Sequence, residues 1–287
     1  MEAYTDFASV YDTFMDETPY EEWAEFLHKL IKEHGISEPI RKRNDADKKS
    51  EDIQESRETA AETSEEVLAS EKNLVVDLGC GTGTLTELLY RKGYDMIGVD
   101  FSQEMLNIAL DKKEKSGSEI LYLCQDMREL DLYSTVGTVI SACDSVNYLL
   151  DEKEVIETFR LVNNYLYPGG LFVFDFNTTY KYECVIGDTT IAENREECSF
   201  IWDNFYHEEE GINEYDLTIF VKEGKDELFR KFTETHYQRG YTLEEMKSFV
   251  EKAGLKFVKA IDADTHKVPA ENSERIYIVA KEQEKMK

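Results

Sequence analysis

From residue 74 onward the chain alternates two periodicities. Apolar runs of strand length stand at residues 74–78, 94–100, 120–124, 136–143 and 171–176, and between them apolar side chains recur at helical spacing. Leu85, Leu88 and Leu89 form the first stripe, and Met105, Leu106, Ala109 and Leu110 the second. Val155, Phe159, Val162 and Leu166 form another, with Pro168-Gly169-Gly170 read as its stop. Alternation of this kind predicts a parallel sheet covered on both faces, with ligands at the carboxyl edge of its strands.

Further along the pattern changes. Residues 199–206, 215–221 and 228–237 read as successive strands separated by the polar turns Glu210-Gly211 and Glu223-Gly224, which predicts antiparallel hairpins laid over the active edge. Thr242-Leu243-Glu244-Glu245 is a capping box that opens a helix through Phe249 and Val250 to Gly254, and strands at 255–261 and 275–280 complete a sheet of seven. Near the amino end, Trp23, Phe26, Leu27, Leu30 and Ile31 share one helix face and should pack on the core. Tyr4, Phe7, Tyr11, Phe14 and Tyr20 are expected to form a lid. Residues 41–72 are nearly free of large apolar side chains and contain no glycine or proline. They read as a charged, flexible insertion, dispensable for catalysis.

The junction after the first strand carries the most specific signal: Asp77-Leu78-Gly79-Cys80-Gly81-Thr82-Gly83. Glycine allows the sharp turn from strand to helix and lets a ligand touch the backbone. A dinucleotide fingerprint requires glycine where Thr84 stands, and no Gly-Lys-Ser/Thr follows for a P-loop. The carboxylate of Asp77 before the first glycine suits a ligand with a cationic amine and would repel a pyrophosphate. Asp100 ends the second strand, 17 residues beyond Gly83, where an acid clamps ribose hydroxyls. Ser102 can cap the following helix, and Phe101 and Met105 offer apolar surface to a purine. The third strand runs into Gln125-Asp126-Met127, a third acid at the same edge.

These motifs resemble those of the class I S-adenosylmethionine-dependent methyltransferases over roughly residues 74–176, and more loosely over the whole chain. The resemblance implies a Rossmann-like, seven-stranded, mostly parallel α/β sheet with helices on both faces and its last strand antiparallel. A small antiparallel β cover follows the fifth strand. The expected divisions are a helical lid at 1–40, the insertion at 41–72, a core of 73–178 and 241–283, and a substrate cover at 179–240. S-adenosyl-L-methionine is the implied cofactor. Asp77 and the loop of Gly79, Cys80, Gly81 and Gly83 would surround its methionine portion, Asp100 would bind both ribose hydroxyls, and Asp126 with the Met127 backbone would read the adenine. Tyr11 matches a lid tyrosine of the family, and Phe101, Met105 and Cys143 complete the expected cofactor contacts. More narrowly, residues 7–12, 143–148 and 233–239 look like a group of uncharacterised bacterial methyltransferases, some labelled as acting on tRNA.

Methyl transfer from a sulfonium needs alignment and exclusion of water more than a strong base. Asp144, Asn147 and Tyr148, just past the fourth strand, are candidates to orient or deprotonate an acceptor, or else to shape the loop. From the cover, His207, His236, Gln238 and Arg239 are further candidates, with His236 carried forward as the catalytic one; Arg239 or Arg275 could instead anchor a substrate carboxylate through paired donors. His207-Glu208-Glu209-Glu210 lacks the second histidine of a zinc motif, so no metal is expected.

Charge bears on the acceptor. The formal net charge is −28, of which residues 41–72 contribute −3 and the rest of the chain −25. Such a field repels phosphate backbones and favours cations, and the one short basic run is Arg41-Lys42-Arg43. A small-molecule acceptor is therefore expected, with RNA methylation and non-catalytic cofactor binding as the alternatives; glycine spacing opposes an oxidoreductase. The five cysteines, Cys80, Cys124, Cys143, Cys184 and Cys198, are widely spaced and include no Cys-x-x-Cys pair, which fits a reducing cytoplasm. Met1-Glu2-Ala3-Tyr4-Thr5-Asp6 lacks the basic start of a signal peptide, and no apolar run approaches the ~20 residues of a membrane span.

Overall fold

A computed structural model describes residues 7–40, 70–224, 228–283 and 285. Tyr4, the basic run at 41–43 and all of the expected insertion except residues 70–72 lie outside the described residues.

The alternating half of the sequence folds as β1 (Leu74–Leu78), α3 (Thr84–Arg91), β2 (Asp95–Asp100), α4 (Gln103–Ser116), β3 (Leu121–Cys124), β4 (Val136–Ser141), α5 (Glu152–Tyr165) and β5 (Leu166–Asn177). Two helices, α1 (Ala8–Phe14) and α2 (Tyr20–His34), precede it. After the cover come α6 (Leu243–Lys252), β10 (Leu255–Asp262) and β11 (Arg275–Glu282). The main sheet has seven strands in the order β10-β11-β5-β4-β1-β2-β3. Strands β1 to β5 pair in parallel, β11 runs antiparallel to β5, and β10 antiparallel to β11. The order reverses between β1 and β4, and ligands of open α/β sheets bind at such a switch point.

Two apolar layers hold this sheet. Successive strand residues face opposite sides, so Val76 and Leu78 of β1 join Val155, Phe159 and Val162 of α5 and Phe249 of α6 on one face. Val75 joins Leu27, Leu30 and Ile31 of α2 and Leu85, Leu88 and Leu89 of α3 on the other. Trp23 and Phe26 pack against that layer as partly buried rings. Asp77 is the one position of β1 where a carboxylate replaces an apolar inward residue, at the strand's active end.

The cover is a separate antiparallel sheet of β6 (Thr190–Asn194), β7 (Cys198–His207), β8 (Ile212–Lys222) and β9 (Phe229–Arg239), paired in that order. Val10, Phe7 and Phe14 of the N-terminal segment cluster with Cys198, Phe200, Leu217 and Ile219 of this sheet. The short N-terminal helix is thereby fastened to the cover by apolar contact.

Three details depart from the sequence reading. Strand β5 begins directly after α5, so Pro168-Gly169-Gly170 lies within the strand and not in a separate turn; the β4–β5 register shifts there, between Val136 and Thr138. Strand β4 ends at Ser141, because Cys143 and Asp144 both turn into the left-handed region, with φ of 59° and 52°. Strand β6 and a π-helical turn at Lys181–Ile186 were not anticipated, since β6 is mostly exposed and leaves no alternating apolar pattern; α1 falls within the expected helical lid, where Phe7, Val10, Tyr11 and Phe14 stand at helical spacing.

Candidate active site

The three acids of the parallel strands meet at one cavity of about 370 Å³ beneath the cover. Its floor is the glycine loop. Gly83 has φ of +74°, and a side chain there would run into the Tyr122 hydroxyl, whereas a methyl group at Gly81 would meet nothing within 4 Å. The first is glycine for packing; the second leaves the backbone open to the cavity.

Asp100 grips this loop. Its Oδ2 accepts the Gly81 backbone N–H at 2.8 Å and its Oδ1 that of Ser102 at 2.9 Å. A carboxylate has about four acceptor positions, so both oxygens keep capacity for further donors. Burial pushes the Asp100 pKa up, against the pull of those backbone donors. Asp77 is 2% exposed, and its Oδ2 accepts from the Thr86 hydroxyl at 2.6 Å. Burial, aided by the negative charge of Asp100, lifts Asp77 to about 7 despite that bond. Among the described residues neither acid takes part in an ion pair. A cation bound beside them would favour the ionised form of both.

Asp126 differs. It is chelated by Arg128, whose Nε lies 3.0 Å from Oδ1 and whose second guanidinium nitrogen lies 2.6 Å from Oδ2; that hydrogen bonding holds its carboxyl below the usual range. Arg128 also donates to Glu154 of α5 at 2.8 Å. Asp126 is therefore already paired, though it borders the cavity together with Met127 and Phe101.

The lid side is aromatic. Tyr11 and Tyr20 line the cavity, and the Tyr20 hydroxyl hydrogen-bonds Tyr11. Asp12 reaches the glycine loop, accepting from the Thr82 hydroxyl at 2.6 Å and pairing with Lys112 at 2.7 Å. Lys112 in turn donates to Thr84 at 2.6 Å.

Past β4, Asp175 organises the strained turn. Its two oxygens accept the backbone N–H groups of Cys143, at 3.2 Å, and Asp144, at 2.8 Å. Arg275 lies 3.7 Å from the same carboxylate and stacks over the Trp23 ring at 4.4 Å. Asp144 accepts from Gln238 of β9 at 2.6 Å, and burial pushes its pKa up. Asn147 is fully buried: its amide nitrogen donates to the backbone oxygens of Asn177, at 2.9 Å, and Arg239, at 2.7 Å. Its oxygen accepts the Asn177 N–H at 2.9 Å.

Tyr148 and His236 face each other across the cavity wall, with the phenolic oxygen 3.2 Å from Nδ1. Tyr215 of β8 bonds the same phenol at 2.7 Å and stacks on the imidazole with centroids 5.0 Å apart.

Of the residues singled out from sequence, Tyr11, Asp77, Gly79, Cys80, Gly81, Asp100, Phe101, Met105, Asp126, Met127, Cys143, Tyr148 and His236 border the cavity. Gly83, Asp144 and Asn147 stand behind it. His207 is elsewhere, exposed and paired with Glu214 at 2.8 Å. Arg239 donates to the Leu150 carbonyl at 3.0 Å. Sequence reasoning missed Asp12, Asp175, Tyr215 and Glu234. Asp175 left a trace as the one acid within the buried strand β5, and Asp12 and Glu234 fall inside the stretches 7–12 and 233–239 without a role being assigned to them.

A seven-stranded sheet of this topology with acids at the ends of β1 and β2 and an open glycine loop between them defines a nucleoside-binding α/β protein. Residues 75–170 match the methyltransferase domain model. The chain is 33% identical over 278 residues to a Geobacillus sp. (strain WCH70) protein named as a "putative methyltransferase", covering 97% of this chain and 99% of that one. It is 32% identical to the "putative methyltransferase YqeM" of Bacillus subtilis (strain 168), covering 96% of each. Among solved structures, an S-adenosylmethionine-dependent methyltransferase from Clostridium acetobutylicum ATCC 824 superposes with a TM-score of 0.77 at 26% identity, over 98% of this chain and 99% of that one. The chain belongs to the class I S-adenosylmethionine-dependent methyltransferases. Among the described residues no helix is long and apolar enough to cross a membrane.

Proposed function

We propose that this methyltransferase acts on a small-molecule acceptor whose nucleophile sits against Tyr148 and His236. One observation carries the reading: a single cavity runs from the acid-ended strands to those two side chains, bordered by the cover at residues 235–237 and by Tyr11 and Tyr20. Its volume, about 370 Å³, lies in the range of small-molecule sites. A net charge of −28 opposes a polyanionic acceptor and steers cations inward.

The donor end fits S-adenosylmethionine. Asp100, with its remaining acceptor capacity, would hold the ribose hydroxyls; Asp77 and the open backbone at Gly81 would hold the cationic methionine portion. Phe101, Met105, Met127 and Asp126 would flank the adenine. S-adenosylmethionine, when bound, supplies a methyl group on a sulfonium, already activated for in-line displacement. What the chain adds is alignment and dryness: Cys143 and the left-handed turn form one wall, Asp175 fixes that turn, and the lid would exclude water. Asp144 and Asn147 would act indirectly, by joining the turn after β4 to β9.

A methyl-transfer screen with radiolabelled S-adenosylmethionine against separated metabolite and RNA pools, with Asp100→Ala as the blank, tests this. Label in the small-molecule fraction is expected. Label confined to RNA would overturn the acceptor class.

A further inference from the structure

Strand β9 presents Glu234, His236 and Gln238 on its buried face, since alternate residues of a strand point the same way. Glu234 is 8% exposed and His236 2%. Glu234 Oε2 lies 3.3 Å from His236 Nε2, and its Oε1 accepts the Phe7 backbone N–H at 3.0 Å. On the opposite side of the imidazole, Nδ1 meets the Tyr148 hydroxyl, and that hydroxyl meets Tyr215. The result is one continuous line of polar groups from a buried carboxylate to a phenol at the cavity wall.

We propose that Glu234 is a positioning residue that fixes the tautomer of His236, so that Nδ1 faces Tyr148 as a proton acceptor and the line serves an acceptor bearing an N–H or O–H nucleophile. The direction follows from donor and acceptor chemistry. An ionised carboxylate only accepts, so Nε2 carries the proton and donates it to Glu234. Nδ1 then has a lone pair and accepts from Tyr148, while Tyr215 donates to Tyr148. Triads of nucleophile, imidazole and orienting acid use the same logic.

The step balances. The proton on the nucleophile passes to the Tyr148 oxygen as Tyr148 gives its own proton to Nδ1. The pair left on the nucleophile forms the bond to the methyl carbon, and sulfur keeps the pair of the bond that breaks. Glu234 faces the imidazolium so formed, whose extra proton returns to solvent after release.

This inference rests on the acceptor reading for where the nucleophile sits, but its test needs no acceptor. Long-range ¹H–¹⁵N spectra of the protein labelled at histidine nitrogen, recorded at a pH where imidazoles are neutral, report which nitrogen bears the proton. His236→Gln identifies the signal. In the unsubstituted protein the Nε2–H form is expected. In Glu234→Gln the amide oxygen keeps the Phe7 N–H, so the amide NH₂ turns toward Nε2 and the tautomer should switch to Nδ1–H. Unchanged signals from His28, His34, His207 and His266 report a retained fold. An Nδ1–H form in the unsubstituted protein would overturn the proposal, and so would retention of Nε2–H in a folded Glu234→Gln. Should that variant not fold, the unsubstituted tautomer and its response to Tyr148→Phe still decide: loss of the phenol should move the Nδ1 shift, and an unmoved shift would break the line at its first link. Failure of the acceptor reading shows separately, as label found only in RNA.

Discussion

Asp12 of α1 and Lys112 of α4 form an ion pair 2.7 Å long directly over the glycine loop. Because Asp12 also accepts from Thr82, this one carboxylate joins α1 to the glycine loop. Phe7, Val10 and Phe14 fasten the same helix to the cover, so the lid bridges the two sheets. The pair is partly exposed, and such pairs contribute about 0.2–1 kcal/mol. Asp12→Ala should weaken S-adenosylmethionine binding roughly two- to fivefold and speed hydrogen exchange at the α1 amides. Exchange rates equal to those of the unsubstituted protein would show that the apolar cluster alone holds the lid.

Binding should depend on pH through Asp77. Burial places this carboxyl at about 7 in the ligand-free protein, so near neutrality a large fraction is protonated. A bound ammonium favours the carboxylate, so affinity should rise as pH increases from about 5.5 to 7, below the ~7.7 at which an α-amino group loses its own charge. Calorimetry at pH 7 in buffers of different ionisation enthalpy should detect release of a proton. Asp77→Asn should weaken binding and flatten the profile; a profile that keeps its slope in this variant would assign the titration elsewhere.

The same group links stability to pH in the opposite sense. Its folded pKa of about 7 exceeds the ordinary 3.8, so the folded chain binds the proton more tightly than the unfolded chain. That contribution is full below pH 3.8 and is lost as pH rises through about 7, with a slope of at most about 1.4 kcal/mol per pH unit. Ligand-free Asp77→Asn should therefore melt higher than the unsubstituted protein at pH 7.5, with a smaller difference at pH 5. An equal or lower Tm at pH 7.5 would mean that the carboxylate is compensated without ligand.

Asp175 should matter for stability before chemistry. It holds two adjacent left-handed residues, each strained by about 1–3 kcal/mol, and faces the half-buried Arg275. Asp175→Ala removes the acceptor of both backbone N–H groups and the carboxylate 3.7 Å from Arg275, at a cost of about 1–3 kcal/mol for each donor left unsatisfied. Urea unfolding checks this; a loss below 1 kcal/mol would show that the turn is held by other contacts.

That the proposed donor-side residues meet at one cavity was legible because they are local: a carboxylate and three glycines stand within one strand-to-helix turn, and Asp100 and Asp126 end the next two strands. The acceptor half was not. His207 and His236 are alike in sequence, and only strand register separates an exposed histidine paired with Glu214 from a buried one facing Tyr148. Glu234 takes its role from Phe7, 227 residues away, and Asp144 meets Gln238 across 94. Asn147 looked like an acceptor contact by position, yet its three hydrogen bonds go to backbone groups of β5 and β9. Apolar periodicity also overran the end of β4, since it records burial and not the left-handed turn that stops the strand.

The central claim is that the acid-ended strands form the cofactor site, with Asp100 at the ribose. Asp100 accepts two backbone donors and borders the cavity, and charged hydrogen bonds contribute roughly 1.5–3 kcal/mol each. Equilibrium titration of S-adenosylmethionine into the unsubstituted protein and Asp100→Ala tests this most directly. Binding to the first and a loss of about ten- to a hundredfold in the second are expected; equal affinity in both would place the ribose away from Asp100.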